Sequence, residues 1–113
     1  TNSFQIWIDG SFHQESNKAG FAINLKKNNK YIIERIPGKQ SNNRAELFAF
    51  LKIIQIINTT KQITIFTDSS IVAQSLQNNS IKHENYLLKN EIIKIIKTKN
   101  LKITDILTGV SKF

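Results

Sequence analysis

The sequence predicts an α/β fold in which helices pack on a mixed five-stranded sheet, with the element order βββαβααβ. Three stretches rich in β-branched and aromatic residues come first, and two apolar stripes at helical spacing then alternate with two further strand-like stretches. Strands followed by helix-strand alternation are typical of a mixed sheet. The 113 residues contain no proline-rich or glycine-rich linker, so we expect one domain over residues 1–113.

The first three strands are predicted at residues 4–9, 20–25 and 31–36. Polar loops separate the three strands. We therefore expect an antiparallel meander.

The first helix is predicted at residues 43–57, after the turn signal Pro37-Gly38. Apolar side chains recur there at helical spacing and describe one stripe: Leu47, Phe50, Leu51, Ile54 and Ile57.

The rest of the chain alternates strand and helix signals. Residues 62–66 predict a fourth strand, and helix-capping residues at 68–70 precede a short helix at 71–77. A third helix is predicted at 85–99, followed by a last strand at 101–107. The apolar stripe of the third helix comprises Leu87, Leu88, Ile92, Ile95 and Ile96.

The charge balance indicates a polyanionic partner. Lys and Arg number 16 against 8 Asp and Glu, which leaves a formal charge of +8. The alternative is that the lysines only keep the protein soluble. The chain contains no cysteine, no apolar run long enough to cross a membrane and no secretory signal pattern. We therefore expect no membrane partner and an intracellular protein, cytoplasmic or nuclear.

Three acidic residues are predicted to meet at one edge of the sheet. Asp9 ends strand one, Glu46 lies in the first turn of helix one, and Asp68 follows strand four. A meander returns strand three to the edge where strand one ends, so the helix begins there and a right-handed crossover carries strand four back to it. Whether strands one and four are neighbours stays open.

Glu46 points towards the predicted core. With the helix unrolled at 100° per residue, the apolar positions span an arc from about 340° to about 140° that includes Glu46. An unpaired carboxylate is costly to bury, which favours a metal or another partner. The alternatives are a favourable interaction with the helix dipole or an ion pair with a nearby arginine.

The other two acids have structural alternatives as well. Asp9-Gly10 could form a turn, and Asp68 could be a simple helix cap. One divalent-cation site, however, would account for all three carboxylates together. Mg²⁺ prefers hard oxygen ligands, whereas zinc favours His or Cys.

Three segments of the sequence resemble the signatures of type 1 ribonuclease H, in the same order: residues 6–11 (Ile-Trp-Ile-Asp-Gly-Ser), 42–47 (Asn-Asn-Arg-Ala-Glu-Leu) and 67–69 (Thr-Asp-Ser). The resemblance implies a ribonuclease H-like fold. It also implies two Mg²⁺ ions, which Mn²⁺ can replace, held by Asp9, Glu46 and Asp68 as the catalytic residues. The implied activity is cleavage of the RNA strand of an RNA–DNA hybrid.

The resemblance also implies which residues contact nucleic acid. Residues matching Ser41, Asn42 and Asn43 lie near the RNA strand in the family, where 2′-hydroxyl groups distinguish RNA from DNA. Gly10, Ser11 and Ser69 are further candidates. For positions 41–43 the alternative is ordinary helix capping before Arg44.

The sequence departs from the family near its end. The family's fourth Asp, on a C-terminal helix, has no counterpart before Phe113, and Asp105 falls within the last predicted strand. Val110 stands where the family has a histidine, and His13 and His83 are expected to be exposed loop residues instead. The start without Met, which ordinary removal of an initiator would also produce, and the abrupt end indicate an excised domain or a truncated copy.

These departures leave two predicted functions. The first is a ribonuclease H-type endonuclease, which the family resemblance also allows as one domain of a larger polyprotein or reverse transcriptase. The second is an inactive module of the same fold that binds hybrid or double-stranded nucleic acid.

Overall fold

The computed structural model describes residues 3–25, 30–67, 72 and 85–108. Apart from the first strand, every element described there lies within two residues of its predicted bounds. Of the helix predicted at 71–77, the structure describes Val72 alone, a buried helical residue. The elements in chain order are β1 (Ser3–His13), β2 (Lys18–Leu25), β3 (Lys30–Arg35), α1 (Asn42–Ile56), β4 (Gln62–Thr67), α2 (Tyr86–Lys99) and β5 (Lys102–Thr108).

The strands form one mixed sheet in the order β3-β2-β1-β4-β5. β1, β2 and β3 are antiparallel neighbours, as the meander predicted, while β4 is parallel to both β1 and β5. The predicted α/β architecture is therefore confirmed. The sheet also answers the question that the sequence left open, because β1 and β4 lie side by side.

β1 is longer than predicted. It continues past Asp9 to His13, because Gly10 to His13 remain paired with β2. The chain reverses only at residues 14–17, where Asn17 adopts a φ of 52°. The interpretation of Asp9-Gly10 as a turn is thus wrong, and so is the expectation that His13 lies in a loop, although His13 is exposed.

The core lies between α1 and the sheet. Alternate residues of the strands face the helix, and the α1 stripe predicted from the sequence is buried against them. Burial of this apolar surface is the main stabilising contribution to the fold. Fully buried members include Ile6, Ile23, Leu47, Phe50, Ile53, Ile54, Ile63 and Ile65.

α2 packs along α1 through a stripe centred on Ile92, which is fully buried. The prediction that Leu87 belongs to this stripe is wrong, since its side chain is 66% exposed. At 100° per residue Leu87 is about 140° from Ile92 around the helix axis, which turns it away from α1. Neither α1 nor α2 is long and apolar enough to span a membrane.

Candidate active site

Glu46 faces the sheet and is only 3% exposed. The prediction that it lies in the first turn of the helix is wrong, because α1 begins at Asn42 and its first turn contains no acidic residue. One carboxylate oxygen, Oε1, accepts a hydrogen bond from the Gly10 backbone N–H at 2.7 Å. The other, Oε2, accepts one from the Thr67 hydroxyl at 3.1 Å. The Glu46 carboxylate thus bridges β1 and β4. This arrangement confirms the core-facing direction predicted by unrolling the helix.

Gly10 allows α1 to approach β1 this closely. A Cβ atom at position 10 would lie 2.8 Å from the Glu46 backbone N and 3.0 Å from the Ala45 Cβ. Atoms at such distances overlap, so a larger residue would displace the start of the helix. Gly10 was predicted from the sequence only as a nucleic-acid contact, and the structure gives it a packing role beside Glu46.

Asp9 is half-buried and belongs to the opposite face of β1 from Ile8 and Gly10. Asp9 pairs with Ala22 of β2. It directly precedes Gly10, whose backbone N–H donates to Glu46. The structure therefore places the Asp9 backbone next to the Glu46 carboxylate, at the level of the sheet where β4 ends. The meeting of the carboxylates in one site stays a prediction.

Asp68 and Ser69 lie outside the described residues. Asp68 directly follows Thr67, the last residue of β4 and the hydrogen-bond donor to Glu46. Within the described part of the chain, no group of three or more His, Asp or Glu side chains could hold a metal ion. Asp68 is not among these described residues.

The chemistry of the described donors suits a hard divalent cation. Asp9 and Glu46 offer carboxylate oxygens, which are the ligands that Mg²⁺ prefers. The Gly10 N–H and the Thr67 hydroxyl fix the direction of the Glu46 carboxylate, as outer-shell partners do in metal sites. Thr67 was not among the predicted site residues, although its position directly before Asp68 at the end of a strand is a usable signal.

Ser41 is the N-cap of α1. Its backbone is extended, and its Oγ accepts a hydrogen bond from the Arg44 N–H at 3.1 Å. Of the two alternatives for residues 41–43, capping is therefore observed for Ser41. Asn42 and Asn43 are exposed in the first turn, at the same end of the helix as Glu46.

The loop that leads into α1 is held in place by Gln40, which was not among the predicted site residues. Its Oε1 accepts from the Ala19 N–H at 2.6 Å, and its Nε2 donates to the Ile36 and Gly38 carbonyl groups, both at 2.9 Å. This side chain ties the loop to β2. No local pattern around Gln40 reveals such a role, because its partners come from two different segments.

Arg44 holds the same loop from the helix side. Its Nε donates to the Lys39 carbonyl and its Nη2 to the Pro37 carbonyl, each at 2.7 Å. The guanidinium also lies 5.1 Å from the centre of the Phe48 ring. Arg44 thus positions the loop and the helix N-terminus around Glu46.

Residues 1–110 match the protein-family model described as RNase H. A search of curated proteins returned no match.

Proposed function

Because this chain belongs to the ribonuclease H family, whose domains act on RNA–DNA hybrids and use divalent metal ions, we propose that it is an endoribonuclease that cleaves the RNA strand of such hybrids. The observation that carries this proposal is the Glu46 carboxylate held between Gly10 of β1 and Thr67 of β4. These are the neighbours in sequence of Asp9 and Asp68.

The pairing of β1 with β4 supports a shared site for the two aspartates. Trp7 pairs with Phe66 in parallel register, and the same offset of 59 residues aligns position 9 with position 68. Paired residues of parallel strands present their side chains to the same face of the sheet. Asp9 and Asp68 would therefore present their side chains to the same face of the sheet, and the Glu46 carboxylate is held one residue away from each, at Gly10 and Thr67.

Asp9, Glu46 and Asp68 would hold two Mg²⁺ ions, for which Mn²⁺ can substitute. When bound, such ions activate a water molecule and stabilise the departing 3′-oxygen of the RNA. The protein contributes the orientation of the carboxylates. Glu46 cannot turn away without losing two hydrogen bonds, so its oxygens are set before the ions bind.

The start of α1 would contact the RNA strand. Asn42 and Asn43 are exposed beside Glu46 and can donate or accept hydrogen bonds to 2′-hydroxyl groups. The Ser41 oxygen accepts from Arg44, so its hydroxyl proton remains available to donate. Gly10, Ser11 and Ser69 would complete the contact surface around the cleaved phosphate.

The test is cleavage of a hybrid labelled on each strand, with Mg²⁺ or Mn²⁺, by the parent and by Asp9→Asn, Glu46→Gln and Asp68→Asn. We expect the parent to cut only the RNA strand. Each amide variant should cut at least about a hundredfold more slowly, since even outer-shell partners of metal sites contribute about 10- to 100-fold. Circular dichroism would verify that each variant folds.

Glu91→Gln is the matched control, because it makes the same change from carboxylate to amide at an exposed position of α2. It should cut like the parent. A parent that binds the hybrid but cuts it no faster than Asp9→Asn would overturn the proposal and leave a binding module of the same fold.

A further inference from the structure

β3 is the last strand at one side of the sheet. It pairs with β2 along one of its sides, and no other described strand pairs with its second side. Such an edge presents a row of backbone N–H and C=O groups that a further strand can bind. The free edge of β3 is therefore a surface to which another chain can add a strand.

The residues whose backbone groups point to this edge follow from the pairing with β2. Immediately after β3, the Ile36 N–H donates to the Ala19 carbonyl of β2 at 3.2 Å. Backbone groups of successive strand residues alternate between the two sides of a strand. The even-numbered residues of β3 therefore face β2, whereas Tyr31, Ile33 and Arg35 direct their N–H and C=O groups to the free edge.

The composition of β3 is compatible with the approach of a second strand. Tyr31 is 58% and Ile33 is 77% exposed, both on the face of the sheet opposite α1. Residues 31–35 contain one acid and one base, so they carry no net charge, although the whole chain carries +8. Proline and bulges are two devices that keep exposed edges apart, and β3 has neither, since its register with β2 is regular.

A second copy of the chain fits this edge in antiparallel orientation, about a two-fold axis that passes through Ile33. Each Ile33 then pairs with Ile33 of the other copy, and each Tyr31 lies opposite an Arg35. An arginine opposite an aromatic ring is a favourable pair. All the outward-facing residues of both copies enter the ladder, which gives about six hydrogen bonds between the copies.

The neighbouring registers are poorer. A shift that centres the axis on Glu34 sets two carboxylates opposite each other, and like charges in that position are destabilising. A shift that centres it on Ile32 leaves Arg35 outside the ladder and reduces the ladder to about four hydrogen bonds. In the register centred on Ile33, Glu34 keeps its ion pair with Lys52 at 3.1 Å, so it brings no unpaired charge to the interface.

We propose that β3 is the interface of a symmetric homodimer, in which two copies of this chain join their sheets edge to edge in the register centred on Ile33. The interface lies two strands from Asp9, about 10 Å across the sheet, so it leaves the proposed active site accessible. The row of Asp9, Ala22 and Ile33 continues into the same row of the second copy, which places both Asp9 side chains on one face of the joined sheet. The dimer goes beyond the proposed function and does not depend on it.

Association through one strand is expected to be weak and to depend on salt. A contact of six residues from each copy is small, and small interfaces are typical of transient complexes. Two chains of charge +8 also repel each other, and salt screens that repulsion. The dimer should therefore strengthen as salt rises, whereas binding of nucleic acid weakens.

The first test is sedimentation equilibrium at low and high salt, over chain concentrations from about 1 μM to about 1 mM, a range that spans weak protein–protein affinities. We expect the average mass of the parent to rise from that of one chain towards that of two, at lower concentration when salt is high. Ile33→Lys sets two ammonium groups opposite each other at the axis, so it should weaken the dimer at least about tenfold.

Leu87→Lys is the matched control, because it makes a similar change from an apolar to a basic side chain at a 66% exposed position of α2. It should dimerise like the parent. A parent that stays monomeric at about 1 mM, or an Ile33→Lys variant that dimerises as strongly as Leu87→Lys, would overturn the proposal. Masses beyond that of two chains would do so as well, because a two-fold interface closes on itself.

The second test determines the register. The chain has no cysteine, so Ile33→Cys introduces a single thiol, and in the dimer its Cα would lie about 5.5 Å from its counterpart, within the range of disulfides. Tyr31→Cys is the control on the same strand and face, since its counterparts would lie four residues apart, about 14 Å. Mild oxidation should join Ile33→Cys chains into dimers and join Tyr31→Cys chains far less. Equal or reversed yields would overturn the register and, with it, the interface.

Discussion

At the scale of single residues, the site depends on how the Glu46 carboxylate is held. The periodicity of α1 predicted that Glu46 faces the core, and its 3% exposure confirms this. Its partners could not be predicted, because Gly10 and Thr67 are 36 and 21 residues away in sequence. Only the adjacency of β1 and β4 brings them together, and no local pattern encodes that adjacency.

Replacing Thr67 tests the hydroxyl that orients Glu46. Thr67→Val keeps the shape but removes the donor to a buried carboxylate, so we expect a loss of about 1–3 kcal/mol in the free energy of unfolding. Cleavage should fall by roughly 10- to 100-fold, as for other outer-shell partners of metal ligands. Urea denaturation and hybrid cleavage are the measurements.

Thr67→Ser distinguishes orientation from packing. Serine keeps the hydroxyl and loses a buried methyl group, so it should lose stability but retain most of the cleavage rate. If serine and valine impaired cleavage equally, Thr67 would have no orienting role.

Replacing Gly10 tests the close approach of α1 to β1. In Gly10→Ala the added Cβ would meet the Glu46 backbone N at 2.8 Å, so the helix must shift. We expect a cost of about 1–3 kcal/mol in unfolding free energy, typical of overpacking. Thermal or urea unfolding would measure it, with Ser11→Ala as a control, since Ser11 is exposed on the other face. Equal stabilities of the two variants would argue against the close contact.

At the scale of elements, both ends of α1 are fastened by residues outside the helix or at its margin. Ser41 caps the N-terminus, while Lys99 of α2 donates from Nζ to the carbonyl groups of Ile54, Gln55 and Ile57, at 2.9, 2.7 and 3.0 Å. α1 has no basic residue in its own last turn. Lys99 therefore supplies the positive charge that a helix C-terminus favours.

Lys99→Met should remove this cap while keeping most of the apolar side chain. We expect a loss of about 1–3 kcal/mol in unfolding free energy, since hydrogen bonds from a charged group are involved. Urea denaturation would measure it, with the exposed Lys97→Met as control. A drop no larger than that of the control would mean that the cap contributes little.

The elements themselves were largely predictable from the sequence. Strand composition and helical periodicity located most of the described elements to within two residues, because these patterns depend on burial of one face. β1 was the exception. Its extension from Gly10 to His13 contains little strand signal of its own and is held by pairing with β2.

At the scale of the whole molecule, binding of metal ions should stabilise the fold. Ligands that bind only the folded state add RT ln(1 + [L]/Kd), about 1.4 kcal/mol when Mg²⁺ is at ten times its Kd. We expect Mg²⁺ to raise the unfolding temperature of the parent by several degrees, and to raise that of Asp9→Asn much less.

The comparison is made within each variant, against KCl at the same ionic strength, because Asp9→Asn alone can alter stability. Similar Mg²⁺-dependent shifts in the parent and in Asp9→Asn would speak against a metal site that includes Asp9.

The topology of the whole molecule was predictable in part. The antiparallel meander and the parallel return of β4 followed from the order of elements, and the structure confirms both. The order β3-β2-β1-β4-β5 required the structure, since side-by-side packing of β1 and β4 depends on how α1 covers both strands.

The long sequence separations within the Glu46 network also bear on the order of folding. β1, β2 and β3 are joined by short connections and can pair early, whereas β4 can join β1 only after a loop of more than fifty residues closes. During synthesis, Gly10 and Glu46 leave the ribosome before Thr67 does. A nascent chain can therefore build its meander and its first helix before β4 emerges, so the Glu46 carboxylate receives its second hydrogen bond only when β4 docks against β1.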